Sequence, residues 1–239
     1  MKTIKLLFFC SVIILFGATS CIDDFTISGN GIPATEGRIT LDFNKVQSEG
    51  EFDVHITNGD EFEVVVNAES NILPYIETNV SRNKLRIYIR GLHNVKNRLP
   101  MEVYITTPYI EGITQSGSGV ITTDYFITND MKVAISGSGR IETAMDALNL
   151  DAVISGSGNL DLSGSSNFGD FLVSGSGKIN ANDLSLRNCE ATISGSGNMW
   201  VNVDNYLKAS ISGSGSVFYY GNPSIEKHIS GSGNVIPYN

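Results

Sequence analysis

Proline is scarce in this chain, at six of 239 residues, and cysteine is scarcer still, at three. Charged residues make up 17% and aromatics 9%, which excludes a charge-driven disordered protein and a coiled coil. The formal charge of −9 leaves no basic surplus for phosphates, so nucleic acid is excluded as a partner. No stretch keeps a 3.6-residue apolar period, and a helix would lose about 1 kcal/mol at each of the recurring glycines. Phosphate loops, zinc-ligand spacings and the Gly-x-Ser-x-Gly elbow are all missing. A glycine-rich calcium roll is excluded too, because it needs a repeated aspartate. His55, His93 and His228 lie far apart without ligand spacing, so neither a metal nor another cofactor is expected. What remains is a chain that is 41% apolar, enough for a sizeable core, with a surplus of 25 glycines.

The amino terminus reads as an address. Lys2 and Lys5 open an apolar run, Ile4 to Phe16, followed by Gly17, Ala18, Thr19 and Ser20. That run is short of the roughly 20 residues needed to span a bilayer, and a basic start, an apolar middle and small residues before a cut describe a signal peptide over residues 1–20. Ala18-Thr19-Ser20-Cys21 resembles a bacterial lipobox, which makes Cys21 the expected lipidation site and the membrane a partner through that anchor. Cys10 leaves with the signal peptide and Cys21 carries lipid, so Cys189 has no cysteine to pair with. Loss of Lys2 and Lys5 takes the charge from −9 to −11. Residues 21–37 then read as a linker. Asp23 and Asp24 directly behind the anchor fit a lipoprotein of the outer membrane displayed at the cell surface.

The main signal is a repeat. Ser-Gly-Ser-Gly begins at Ser116, Ser136, Ser155, Ser174, Ser194, Ser212 and Ser230, at intervals of 20, 19, 19, 20, 18 and 18 residues, and holds 14 of the 25 glycines. Before the copies stand Gln115, Ile135, Ile154, Val173, Ile193, Ile211 and Ile229; two residues beyond them stand Ile121, Ile141, Leu160, Ile179, Met199, Val217 and Val235. The residues between, such as Arg140, Asn159, Lys178 and Asn198, are mostly polar. Apolar, polar, apolar is the period of a strand, and it runs into several copies, as in Leu148, Leu150, Ala152 and Ile154. A strand unit of about 19 residues cannot bury its own apolar face, whereas stacked units spaced ~4.8 Å apart can. Residues 110–239 are therefore expected to form an all-β fold, a parallel β-helix of about seven coils. Either the segments stay extended with glycine inward, or they turn a corner that uses glycine's φ freedom. Both readings stack the serines, whose hydroxyls could bond from coil to coil.

Residues 38–109 are β-rich without the repeat and are expected to join or cap the solenoid. Phe52, Val54 and Ile56 alternate before Asn58-Gly59, and Phe62, Val64 and Val66 alternate after it, which predicts a hairpin. Tyr75 to Val80 and Leu85 to Ile89, around Ser81-Arg82-Asn83-Lys84, predict a second pairing, and Met101 to Ile105 a further strand. At the far end little sequence follows the last repeat, so a homo-oligomer through the solenoid end is a candidate assembly.

Phe43-Asn44-Lys45-Val46, Phe52-Asp53-Val54-His55-Ile56, the Asn58-Gly59 turn, Leu85-Arg86-Ile87-Tyr88-Ile89 and the serine–glycine ladder together resemble the head GIN domain family, over roughly residues 40–239. That family carries an auto-transporter adhesin label and is also described as a domain of unknown function. The resemblance implies a secreted or lipid-anchored β-helical protein of a Gram-negative cell envelope, with a host or cell-surface glycan or protein as partner. It assigns no catalytic residues.

Glu142 and Asp161 are neighbours if coils stack in register, with Arg140 and Lys178 beside them. Clustered carboxylates are what a polysaccharide lyase or hydrolase on a β-helix would need, yet two acids between two bases read better as exposed ion pairs worth under about 1 kcal/mol. The expected function is a non-catalytic envelope lipoprotein, an adhesin-like or structural module. The alternative is a glycan-binding module using Trp200, Phe218, Tyr219 and Tyr220, since exposed aromatics beside polar files can stack on sugar rings.

Overall fold

The computed structural model describes residues 26–91 and 94–238. The signal peptide, Cys21, Asp23, Asp24 and His93 lie outside the described residues. The strands run β1 (Thr26–Ser28), β2 (Pro33–Arg38), β3 (Lys45–Gly50), β4 (Asp53–Asn58), β5 (Glu63–Glu69), β6 (Ile76–Ser81), β7 (Lys84–Ile89), β8 (Asn94–Lys96) and β9 (Glu102–Thr107). They continue as β10 (Gly112–Gly117), β11 (Val120–Gly137), β12 (Arg140–Gly156), β13 (Asn159–Gly175), β14 (Lys178–Gly195), β15 (Asn198–Gly213), β16 (Ser216–Tyr220), β17 (Ser224–Gly231) and β18 (Asn234–Pro237). A single 3₁₀ turn, Leu73–Tyr75, is the one helical element among the described residues.

From β10 onward the chain is a parallel solenoid of about seven turns, as the repeat requires. The long strands β11 to β15 each run from one glycine corner to the next, and every serine–glycine pair stacks on its counterpart: Ser136 on Ser155, Ser155 on Ser174, Ser174 on Ser194, Ser194 on Ser212. The files flanking the repeat point inward. Ile135, Ile154, Val173 and Ile193 on one side, and Ile141, Leu160, Ile179 and Met199 on the other, are all buried. Burial of one such side chain contributes about 1.5–3 kcal/mol, so the stack is held by its interior. Leu148 departs from the expected alternation: it falls between the pairs Ala147–Ser166 and Asn149–Phe168 and is 49% exposed.

The repeat turns a corner. The first glycine of each copy has positive φ, +123° at Gly137 and +127° at Gly156, a conformation other residues rarely adopt. The second faces inward against the coil below: a Cβ on Gly158 would lie 2.5 Å from Ile135 Cγ2 and 2.8 Å from the Gly139 carbonyl oxygen. Both readings of the glycines thus hold, one for each member of the pair. The serine hydroxyls, in contrast, do not join the coils among the described residues, except that Ser118 donates to Glu51 Oε1 at 3.4 Å. They face solvent, and the bonds across the corner are made by backbone, with Ser138 and Gly139 N–H donating to the Gly117 carbonyl and Ser157 N–H to that of Gly137.

The uneven intervals are absorbed as bulges. Successive coils of 20 and 19 residues slip between Thr122 and Tyr125, coils of 19 and 20 between Asp161 and Ser163, and coils of 20 and 18 between Ala181 and Ser185 and again between Leu186 and Asn188. The two adjacent coils of 19 residues pair without a slip. The first two slips are the two-against-one mismatch of a β-bulge in the stretch after a corner; in the third, β14 carries three extra residues after Ala181 and β15 takes one back between Leu186 and Asn188, at mid-strand.

The amino-terminal half continues the ladder. β3 pairs in parallel with β10, which places Gly50 under Gly117, and Gly50 has φ +121° like the later corners. Glu49-Gly50-Glu51-Phe52 is therefore one more corner in the same file. Gln115, the exception among the residues before the repeats, is fully buried and donates its amide to the Gly50 carbonyl oxygen at 3.1 Å. β7 pairs with β3, and β6 with β7, around Arg82 and Asn83, both at positive φ, so the second predicted pairing forms. The first does not. β4 and β5 are not partners: β9 lies between them, parallel to β4 and antiparallel to β5. The stretch expected as a linker is partly structured, since β1 pairs with β8 and β2 with β5. Glu69 clasps this segment, its buried carboxylate accepting N–H bonds from Gly31, Arg98 and Leu99.

Candidate functional site

Outward-facing positions of the coils form straight files. One runs Val120, Arg140, Asn159, Lys178, Asn198, Ser216; its neighbour runs Thr122, Glu142, Asp161, Asn180, Trp200, Phe218, Ile236. Between them lies a groove of about 350 Å³, lined by Arg140, Asn159, Asp161, Lys178, Asn180, Asn182 and Trp200. The β14 bulge sits at one side of it. There β14 carries three more residues than β15, Asn182 to Leu184, between the pairs Ala181–Val201 and Ser185–Asn202.

The polar wall is cross-linked. Arg140 bonds Glu142 at 2.7 Å through Nε and Asp161 at 2.9 Å through Nη2. The other Asp161 oxygen accepts from Asn180 Nδ2 at 3.1 Å. Both acids are thereby held by one guanidinium. This is the ion-pair arrangement expected from the sequence, except that Lys178 takes no part in it. Among the described residues no carboxylate lies within 4.0 Å of Lys178.

The aromatic wall follows from register. Trp200 and Phe218 occupy adjacent coils in one outward file, so their rings stack at 5.1 Å with planes 10° apart, inside the range of favourable offset pairs. Phe218 also meets Tyr238 edge-on at 6.1 Å, and Tyr220 meets Tyr238 at 5.1 Å. Tyr219 differs from the sequence reading. Its parity turns it inward above Val201, where it packs against the core and not in the aromatic file. Trp200, Phe218 and Tyr220 are half-buried. Tyr238, which joins them, carried no signal in the sequence because it follows the repeat period by pairing and not by pattern.

Other titratable side chains are dispersed. His55 bonds Thr122 Oγ1 at 2.8 Å and stacks on Tyr104, while His228 lies 3.7 Å from Glu226 on the far coil. Among the described residues no three His, Cys, Asp or Glu side chains gather in a way that would hold a metal. Cys189 is fully buried in an inward file between Gly169 and Leu207, and burial, then Asp170 and Glu190, pushes its thiol well above the usual range.

Residues 42–223 match the family model described as "putative auto-transporter adhesin, head GIN domain". Among solved structures, a putative adhesin from Bacteroides fragilis superposes with a TM-score of 0.83 at 23% identity, over 89% of this chain and 100% of its own. A putative lipid binding protein from Parabacteroides distasonis gives 0.77 at 25% identity, over 90% and 100%. A putative adhesin from Parabacteroides merdae gives 0.74 at 19% identity, over 90% and 100%. No curated protein matches the sequence.

Proposed function

The chain belongs to the head GIN domain family, and from that premise we propose that it is a non-catalytic, lipid-anchored module of the cell envelope that adheres to its target through the outward face of the solenoid. The observation that carries this is the groove between the Arg140 and Asp161 files, bounded by the Trp200–Phe218 stack. A half-exposed stacked indole beside fixed carboxylate and amide groups is a surface for a sugar ring, which offers an apolar face and a rim of hydroxyls. Tethering of Glu142 and Asp161 to a single arginine favours recognition over hydrolysis, because neither acid stands free to give or take a proton.

The anchor belongs to the same proposal. Lipid on Cys21 would hold the first coils near an outer-membrane leaflet and leave the groove on the coils beyond. Mass spectrometry of the purified mature chain reads this directly: a diacylated or triacylated Cys21 is expected, and an unmodified amino terminus refutes the anchor. For adhesion, the full chain in detergent is applied to a glycan array beside its Trp200→Ala variant. Binding that disappears in the variant is expected; an unchanged profile refutes the groove as the adhesive surface. Turnover of any bound glycan that is lost on replacing Glu142 and Asp161 would instead favour a lyase or hydrolase.

A further inference from the structure

The polar groups of the groove are not equally engaged. Arg140 is occupied by two carboxylates. Asp161 is shared between Arg140 and Asn180, and Asn180 Oδ1 accepts from the Asn182 backbone N–H at 3.5 Å. Lys178 is exposed on the rim, one coil beyond Asn159, and has no ion pair or hydrogen bond among the described residues. On a chain with a net charge of −9, a lysine left unpaired beside a well-paired arginine is out of keeping with the rest of this face. Glu142 and Asp161 could have been balanced by it and are held by Arg140 instead.

The aromatic side is equally asymmetric. Phe218 covers one face of the Trp200 indole from the next coil. The register puts Asn180 on the other side, where the β14 bulge lies and where the groove opens. From the Arg140 coil to the Trp200 coil is three intervals, roughly 14 Å at ~4.8 Å each, which is room for a short oligosaccharide and not for a single small ion.

Resting on the reading of this groove as the adhesive surface, we infer that its ligand is a glycan carrying one carboxylate-bearing sugar, whose ring lies against Trp200 and whose carboxylate pairs with Lys178. Asn159 and Asn180 supply amide groups for the neighbouring hydroxyls. A long polyanion is disfavoured: the negative chain repels it, and Glu142 and Asp161 would face its further charges. One acid sugar in an otherwise neutral chain matches one free cation between amides and an indole.

The test uses matched probes, aldotetraouronic acid and sialyllactose, each beside its own carboxyl methyl ester, titrated calorimetrically into the full chain in detergent. At least one acid is expected to bind about tenfold more tightly than its ester, the margin of one charge-assisted hydrogen bond. Lys178→Gln should bring the acid and its ester to equal affinity, and the exposure of Lys178 makes the substitution harmless to the fold. Trp200→Ala should weaken acid and ester together. Equal affinity of acid and ester overturns the acid-sugar inference while leaving the glycan reading in place. An absence of binding by every probe overturns both, and an acid preference that survives in Lys178→Gln overturns the assignment to that lysine.

Discussion

Replacing Gly156 by alanine tests the corner on which the stack depends. Gly156 has φ +127°, and a Cβ there would lie 2.5 Å from the Gly137 carbonyl oxygen of the preceding coil. The backbone strain alone costs about 1–3 kcal/mol. The contact is against backbone that already accepts the Ser157 N–H at 2.9 Å, so it cannot yield by rotating a side chain, and overpacking of this kind adds about 1–3 kcal/mol. Together the loss should be about 2–6 kcal/mol. Gly158→Ala has no positive φ to strain and meets Ile135 Cγ2 and the Gly139 carbonyl oxygen, so it should cost only the packing part, about 1–3 kcal/mol. Gly37→Ala, with ordinary φ and nothing within 4 Å, should be neutral or stabilising by up to about 1 kcal/mol. Urea unfolding followed by circular dichroism ranks the three. If Gly156→Ala unfolds at the same urea concentration as Gly37→Ala, the corner does not carry the strain assigned to it.

Burial of the Glu69 carboxylate raises its pKa, but the N–H bonds from Arg98, Gly31 and Leu99 and the Arg98 charge outweigh that and leave it below 4.5. Its stabilisation is therefore present above the unfolded value and lost as pH falls through the lowered one; protease cleavage within residues 26–38 should rise in acid, and Glu69→Gln should be cleaved readily already at neutral pH. Asp170 shifts the other way, raised by burial and then by Asp151 and Glu190, so its charge opposes folding at neutral pH and protonation relieves it. Asp170→Asn should raise stability at pH 7 by no more than about 0.5 kcal/mol, given its exposure, and the gain should vanish as pH drops below the raised pKa; a variant that stays more stable in acid refutes the charge argument. Cys189 should resist a thiol reagent in native buffer and react fully in denaturant, and rapid native labelling would contradict its burial.

The solenoid was legible because its information is local and periodic. Serine–glycine spacing gave the number of coils, and the changes in that spacing mark where bulges fall. Non-local pairing was not legible: Asn58-Gly59 has the composition of a tight hairpin, but β9, more than forty residues on, takes the place between β4 and β5. The corner at Gly50 was hidden because Glu-Gly-Glu-Phe shares only one glycine with the later copies and is recognised only through its pairing with Gly117. Strand β2, Pro-Ala-Thr-Glu-Gly-Arg, has no apolar alternation to betray it. Of the candidate site, Trp200 and Phe218 were visible from the file they share, while the groove beside them depends on the β14 bulge and on which base Arg140 leaves unpaired.

Among the described residues the slips in pairing fall from just after a corner to the middle of a coil, the furthest between Leu186 and Asn188, and the stretch leading into the next corner, such as Asn188 to Gly195, keeps unbroken step with its neighbour. The molecule thus has one ruled wall and one wall that can be edited. Residues can be gained or lost on the second, reshaping its relief and the side chains it displays, without disturbing the alignment of any rung, so a new contour for a new surface can arise without refounding the tower that bears it.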